Sequence, residues 1–119
     1  MRGNRVYIQH ISDAILAIEK FTENASKEEF SRDDMVQSAV IRKIEIIGEA
    51  VKKLEDDFKE KYNFILWRRI AGMRDKLIHE YFGVDVERVW EVVQKDLPLL
   101  KGQIYKILKE IDEEKNKNA

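Results

Sequence analysis

The stretch that decides the fold reads Arg32-Asp33-Asp34-Met35-Val36-Gln37-Ser38-Ala39-Val40-Ile41-Arg42-Lys43-Ile44-Glu45-Ile46-Ile47-Gly48-Glu49-Ala50-Val51-Lys52-Lys53-Leu54-Glu55-Asp56. Val36, Val40, Ile44, Ile47, Val51 and Leu54 recur at steps of four and three, with Ile41 and Ile46 beside them. That spacing gives a 3.6-residue helix one apolar face, and it predicts a long helix from about 32 to 56. Upstream, Tyr7, Ile11, Ala14, Ile18 and Phe21 repeat the pattern, widened by Ile8 and Ile15, and Thr22-Glu23-Asn24-Ala25 ends it. Between the two helices, Ser26 and Ser31 each precede an acid by three residues (Glu29, Asp34), which is a capping-box spacing. A helical turn at 26–30 is therefore expected before the long helix.

Downstream, Trp67, Ile70, Ala71, Leu77 and Ile78 predict a third helix from about Phe64 toward Tyr81, broken by Gly83. Asp85 is placed to cap a fourth helix carrying Val86, Val89, Trp90, Val93 and Leu97, which Pro98 kinks or restarts. Leu100, Ile104, Ile107, Leu108 and Ile111 carry the pattern onward. With only five glycines and one proline, few breakers interrupt it. The expectation is an all-α, antiparallel four- to five-helix bundle, one domain over 1–112 with a frayed, charged tail over 113–119.

Composition narrows the function. The 119 residues are 44% apolar, enough for one core, and 22 basic against 23 acidic side chains leave a net charge of -1. Bulk charge cannot hold this chain on nucleic acid or an anionic membrane, so any such contact must be local. No cysteine is present, which removes disulfides, thiolate chemistry and zinc ribbons. No apolar run approaches the ~20 residues that span a bilayer. Met1-Arg2-Gly3-Asn4-Arg5 leads into an amphipathic pattern and not a signal-peptide core, so a cytoplasmic location without membrane contact is expected. His10 and His79 are the only histidines, and no metal-binding His-Glu-x-x-His or Glu-x-x-His spacing exists. Glu45 and Glu49 lie one turn apart and would suit a divalent ion, but on a Glu-rich helix such a pair is ordinarily a solvated face. Neither metal nor cofactor is expected.

One position breaks the apolar pattern. On the third helix the stripe Trp67, Ile70, Arg74, Leu77, Tyr81 has an arginine at its centre. A guanidinium on a core-facing stripe is costly unless it is paired or reaches water, so Arg74 either snorkels at the rim, pairs with a buried acid, or serves chemistry. Arg68, Gly72, Asp75 and His79 form an adjacent polar stripe; on a continuous helix Asp75 would orient the His79 ring from four residues away. Arg68, Arg69, Arg74 and Lys76 surround it with positive charge. Arginine, an oriented histidine and a basic surround without metal ligands suit a phosphodiester: the guanidinium holds phosphate while imidazole moves a proton. The plain alternative is an ordinary surface histidine.

The segment Gly72-Met73-Arg74-Asp75-Lys76-Leu77-Ile78-His79-Glu80-Tyr81 resembles the Arg-x4–6-His motif of the HEPN superfamily, and more narrowly the Arg-x4-His-x-Tyr motif of its HepT-like branch. The block Ala39–Ala50, ending in Gly-Glu-Ala, resembles that branch's second helix, and Val89–Val93 with Asp96–Leu100 its last helices. The resemblance implies a helical homodimer with two motifs facing one cleft, acting as a metal-independent endoribonuclease toxin on RNA. It implies Arg74 and His79 as catalytic, Asp75 as supporting, and Arg68, Arg69 and Lys76 as RNA-binding candidates. It further implies a small nucleotidyltransferase antitoxin as partner, transferring AMP onto Tyr81. Two alternatives stay open: a catalytically silent HEPN module that binds nucleotide or RNA, and a helical partner domain of a nucleotidyltransferase.

Overall fold

The computed structural model describes residues 2–79 and 83–117, without the side chains of 2, 78 and 79. The chain is an all-helical bundle. Helix α1 (Arg2–Thr22) lies along α3 (Asp34–Lys53) and α8 (Leu97–Lys117), with α2 (Lys27–Arg32) bridging α3 and α7 (Val86–Glu91). After α4 (Asp56–Lys61), two short helices, α5 (Trp67–Ala71) and α6 (Met73–Leu77), close the side of α3. A two-residue hairpin, β1 (Ile78–His79) with β2 (Gly83–Val84), links α6 to α7.

The core follows the apolar stripes. Ile8, Ile11, Ile15 and Ile18 of α1 meet Val40, Ile44, Ile47 and Val51 of α3 and Ile104 and Ile107 of α8, all essentially without solvent exposure. The stripe on α1 is rotated from its expected centre, leaving Phe21 exposed. Ser26 and Glu29 form the expected reciprocal capping box at α2 (Glu29 N to Ser26 Oγ 3.1 Å, Ser26 N to Glu29 Oε1 3.0 Å). The second capping expectation fails. Asp33, not Ser31, caps α3 by accepting from Val36 N, while the Ser31 hydroxyl donates to the Glu28 carbonyl. A carboxylate at the start of a long helix meets both the exposed N–H groups and the positive end of the dipole.

Two ties hold the ends of the bundle. Asn4 of α1 and Glu55 exchange hydrogen bonds at 3.0 and 3.2 Å, closing the C-terminal end of α3. Arg5 donates twice to Asp112 (2.9 and 3.1 Å), joining α1 to α8. The expected tail from 113 is helical as far as Lys117, and Glu114 pairs with Lys61 of α4. Asp85 caps α7 through Arg88 N, and Pro98 is the second residue of α8, just past a π-helical turn over Val92–Asp96. Proline lacks the N–H for an i−4 bond and its ring crowds that carbonyl; the widened turn absorbs the mismatch without ending the helix.

The third predicted helix is the main departure. It is divided at Gly72 into α5 and α6 and ends at Leu77, four residues short of Tyr81. The Leu77 carbonyl accepts from Asp85 N at 2.8 Å, so the returning chain takes the acceptor that a continuing helix would have used for residue 81. Gly83, at φ 78°, supplies the left-handed backbone that the hairpin needs.

Candidate active site

Everything at the site depends on how α5 and α6 are seated. The Trp67 indole is buried, and its N–H is shared between the carbonyls of Lys59 and Tyr62 at 3.1 Å each, fixing the start of α5. At the other end of α5, the Ala71 carbonyl lies against Gly48 of α3. A Cβ at position 48 would sit 3.0 Å from that oxygen, so any larger residue there would have to push α5 back by a few tenths of an ångström. Gly72 then takes the cap position and Met73 and Leu77 enter the core. With these anchors set, Arg74 emerges from α6 beside α3.

The Arg74 side chain is 47% exposed, and its Nε lies 3.1 Å from Glu45 Oε2 of α3. A second contact, 3.6 Å, joins Nη1 to the carboxylate of Asp75. Arg74 is thus a rim arginine with a paired acid, which resolves the exception in the apolar stripe. Neither ion pair has hydrogen-bond geometry, in contrast to the doubly hydrogen-bonded Arg5–Asp112 pair. Its N–H donors remain available to an incoming anion. Glu49, the other half of the supposed carboxylate pair, faces Arg42 at 3.5 Å. Among the described residues no cluster of three or more potential metal ligands occurs.

Arg68, Arg69 and Lys76 come together along one open groove with Trp67, Gly72 and Lys59. Added at Gly72, a Cβ would meet only the Arg68 carbonyl at 3.6 Å, so this face of the turn is open. Arg74 does not line that groove. Arg74 and Lys76 are two positions apart on α6, about 200° around the helix, so they address opposite sides of it. The expected single basic face is therefore two surfaces meeting at α6.

The expected relation between Asp75 and His79 changes too. It required one continuous helix, whereas His79 stands in β1, paired with Gly83 across the hairpin. The side chain of His79 lies outside the described residues, as does Tyr81 entirely. Glu45 is the residue that sequence reading did not assign. A paired acid was one of the alternatives offered for Arg74, but nothing in the spacing points to one 29 positions upstream on another helix.

The described residues thus form an all-helical bundle that holds Arg74 at its rim, with a groove lined by Arg68, Arg69 and Lys76 on the other side of α6. The chain belongs to the family described as Ribonuclease HepT-like, whose sequence model matches residues 11–107. It is 50% identical over 112 residues to a Methanocaldococcus jannaschii protein named "Gamma-glutamylcyclotransferase and putative RNase", covering 94% of this chain and 50% of that protein. The chain thus spans about half the length of that relative. It is 49% identical over 108 residues to "Probable ribonuclease HepT" of Thermococcus cleftensis, covering 91% of this chain and 98% of the relative. A Caldanaerobacter subterraneus protein named as a putative RNase is 44% identical over 108 residues, covering 91% and 96%. No solved structure matches the chain. No described helix is long and apolar enough to cross a membrane.

Proposed function

We propose that this ribonuclease-family chain is a metal-independent endoribonuclease in which Arg74 and His79 act on the RNA phosphodiester. The observation that carries the reading is Arg74: half-exposed, charge-paired yet not hydrogen-bonded, on a turn flanked by an open basic groove. RNA brings its own nucleophile, the 2′-OH, so the protein needs a proton carrier, a charge stabiliser and alignment. His79 takes the 2′ proton or protonates the departing 5′ oxygen. Arg74 binds the phosphate and stabilises the charge it gains. Arg68, Arg69 and Lys76 hold flanking phosphates, and Asp75 supports the motif. Base and acid roles are easiest with two histidines, and a two-fold homodimer with the motifs facing each other supplies the second.

The same reading makes the chain the toxin of a toxin–antitoxin pair in the cytoplasm, silenced by a small nucleotidyltransferase. In that step the Tyr81 hydroxyl oxygen attacks the α-phosphorus of ATP, an O–P bond forms, pyrophosphate leaves, and the phenolic proton passes to solvent. The attached AMP places a phosphate where it competes with RNA for Arg74.

One observation favours a second reading. The Glu45 and Asp75 carboxylates beside Arg74 also suit an arginine that merely ties α6 to α3 in a silent binding module. The test is RNA cleavage in EDTA by wild type, Arg74→Ala and His79→Ala, with folding checked by thermal melting. Loss of cleavage in both variants, with melting within about 4 °C of wild type, supports the enzyme. Intact cleavage by either variant, or loss of the fold in both, favours the structural reading.

A further inference from the structure

We infer that Glu45 is a positioning residue for Arg74 in RNA cleavage, an inference that rests on the reading of Arg74 as the phosphate-binding residue. Glu45 belongs to the 20-residue helix α3, its side chain is only 29% exposed, and its neighbours Ile44, Ile46 and Ile47 pack into or against the core. Its backbone is therefore fixed by a long helix that packs against α1, α5 and α6. Asp75, by contrast, is 77% exposed and sits on the same short turn as Arg74. The two acids have different roles. The 3.1 Å charge contact between Nε and Glu45 holds the guanidinium against α3 and leaves the end that carries the two terminal amino groups for a phosphate. The 3.6 Å contact at Nη1 with Asp75 is the one an incoming phosphate oxygen displaces.

This arrangement has two consequences. Charge attraction to Glu45 restricts where the fork sits, so its terminal donors meet the phosphate from one side, and small misplacements of such a group cost large factors in rate. The negative charge of Glu45 also weakens the ground-state hold of Arg74 on any anion. Removing that charge should therefore tighten RNA binding while slowing cleavage, a combination that loss of a structural tie does not produce. Gly48 belongs to the same device, since the close approach of α3 to the Ala71 carbonyl seats the turn from which Arg74 reaches Glu45.

The experiment uses the full chain with Glu45→Gln and Glu45→Asp, each alone and in an Arg74→Ala background. Cleavage of a short RNA gives kcat and KM, and a 2′-O-methyl copy of the same strand, which cannot be cleaved, gives Kd. Glu45→Gln should lower kcat by about 10- to 100-fold while Kd tightens severalfold. Glu45→Asp keeps the charge but retracts the carboxylate by one methylene; it should lower kcat with Kd near wild type. In the Arg74→Ala background neither substitution should change Kd. A kcat within about twofold of wild type in both variants overturns the inference, as does a tighter Kd that persists without Arg74. If Arg74→Ala itself cleaves normally, the reading of Arg74 has failed; if it is inactive while both Glu45 variants cleave normally, only the role of Glu45 has.

Discussion

Substituting Gly48 with alanine should separate packing from propensity at the base of the site. In a helix interior, glycine to alanine stabilises by roughly 1 kcal/mol, because it reduces the backbone freedom lost on folding. At Gly102 of α8 nothing lies within 4 Å of the added Cβ, so Gly102→Ala should gain that amount and raise the melting temperature by about 4 °C. At Gly48 the added Cβ falls 3.0 Å from the Ala71 carbonyl oxygen, and a backbone atom cannot swing aside as a side-chain tip would. Overpacking of this kind costs about 1–3 kcal/mol, which cancels or exceeds the propensity gain. The two variants should differ by roughly 1–3 kcal/mol although their chemistry is identical. Urea denaturation of both, beside RNA cleavage at a temperature where each is folded, reads the outcome. Gly48→Ala should also lose cleavage, because pushing α5 from α3 displaces Arg74 from Glu45. Equal stabilisation by both substitutions, with cleavage intact, would refute the claim that this close approach seats the site.

Hydrogen bonds from Arg5 hold the Asp112 carboxyl below the usual carboxylate range. Its contribution is present above the unfolded carboxylate pKa and is lost as pH falls through the lower folded value, so Asp112→Asn should flatten the acid side of the stability profile; an unchanged profile argues against the tie. Co-expression with a small nucleotidyltransferase should add mass in units of AMP to wild type and none to Tyr81→Phe. Inhibition of an unmodified chain to the same degree would remove Tyr81 from the mechanism. Light scattering at micromolar concentration should give a dimer, and a monomer whose activity stays linear down to nanomolar protein would contradict the two-histidine site.

The long helices were legible because burial alone sets their stripes: Val40, Ile44, Ile47 and Val51 fall where the four-three spacing puts them. Capping chemistry was legible where one residue fits, as at Ser26 and Asp85, and misread at Ser31, whose hydroxyl donates to the Glu28 carbonyl while Asp33 two residues on accepts from Val36 N. The end of α6 was not legible. Periodicity carries on through Ile78, while the actual stop is a bond from Asp85 N to the Leu77 carbonyl, made only after the chain has turned at Gly83. The arginine out of pattern and the basic residues around it could be picked from the sequence, but their sorting onto opposite sides of one short helix could not. That sorting, like the pairing of Arg74 with Glu45, follows from how α3 and α6 pack.

In the proposed reaction the RNA's own 2′-OH is the nucleophile, and Arg74 and His79 drive cleavage without a metal ion. Mass analysis of the ends left on a defined RNA cut in EDTA tests it most directly. Wild type should leave a 2′,3′-cyclic phosphate and a 5′-hydroxyl, with neither product from Arg74→Ala or His79→Ala. Cleavage that appears only on adding magnesium or manganese, leaving a 3′-hydroxyl and a 5′-phosphate, would contradict it.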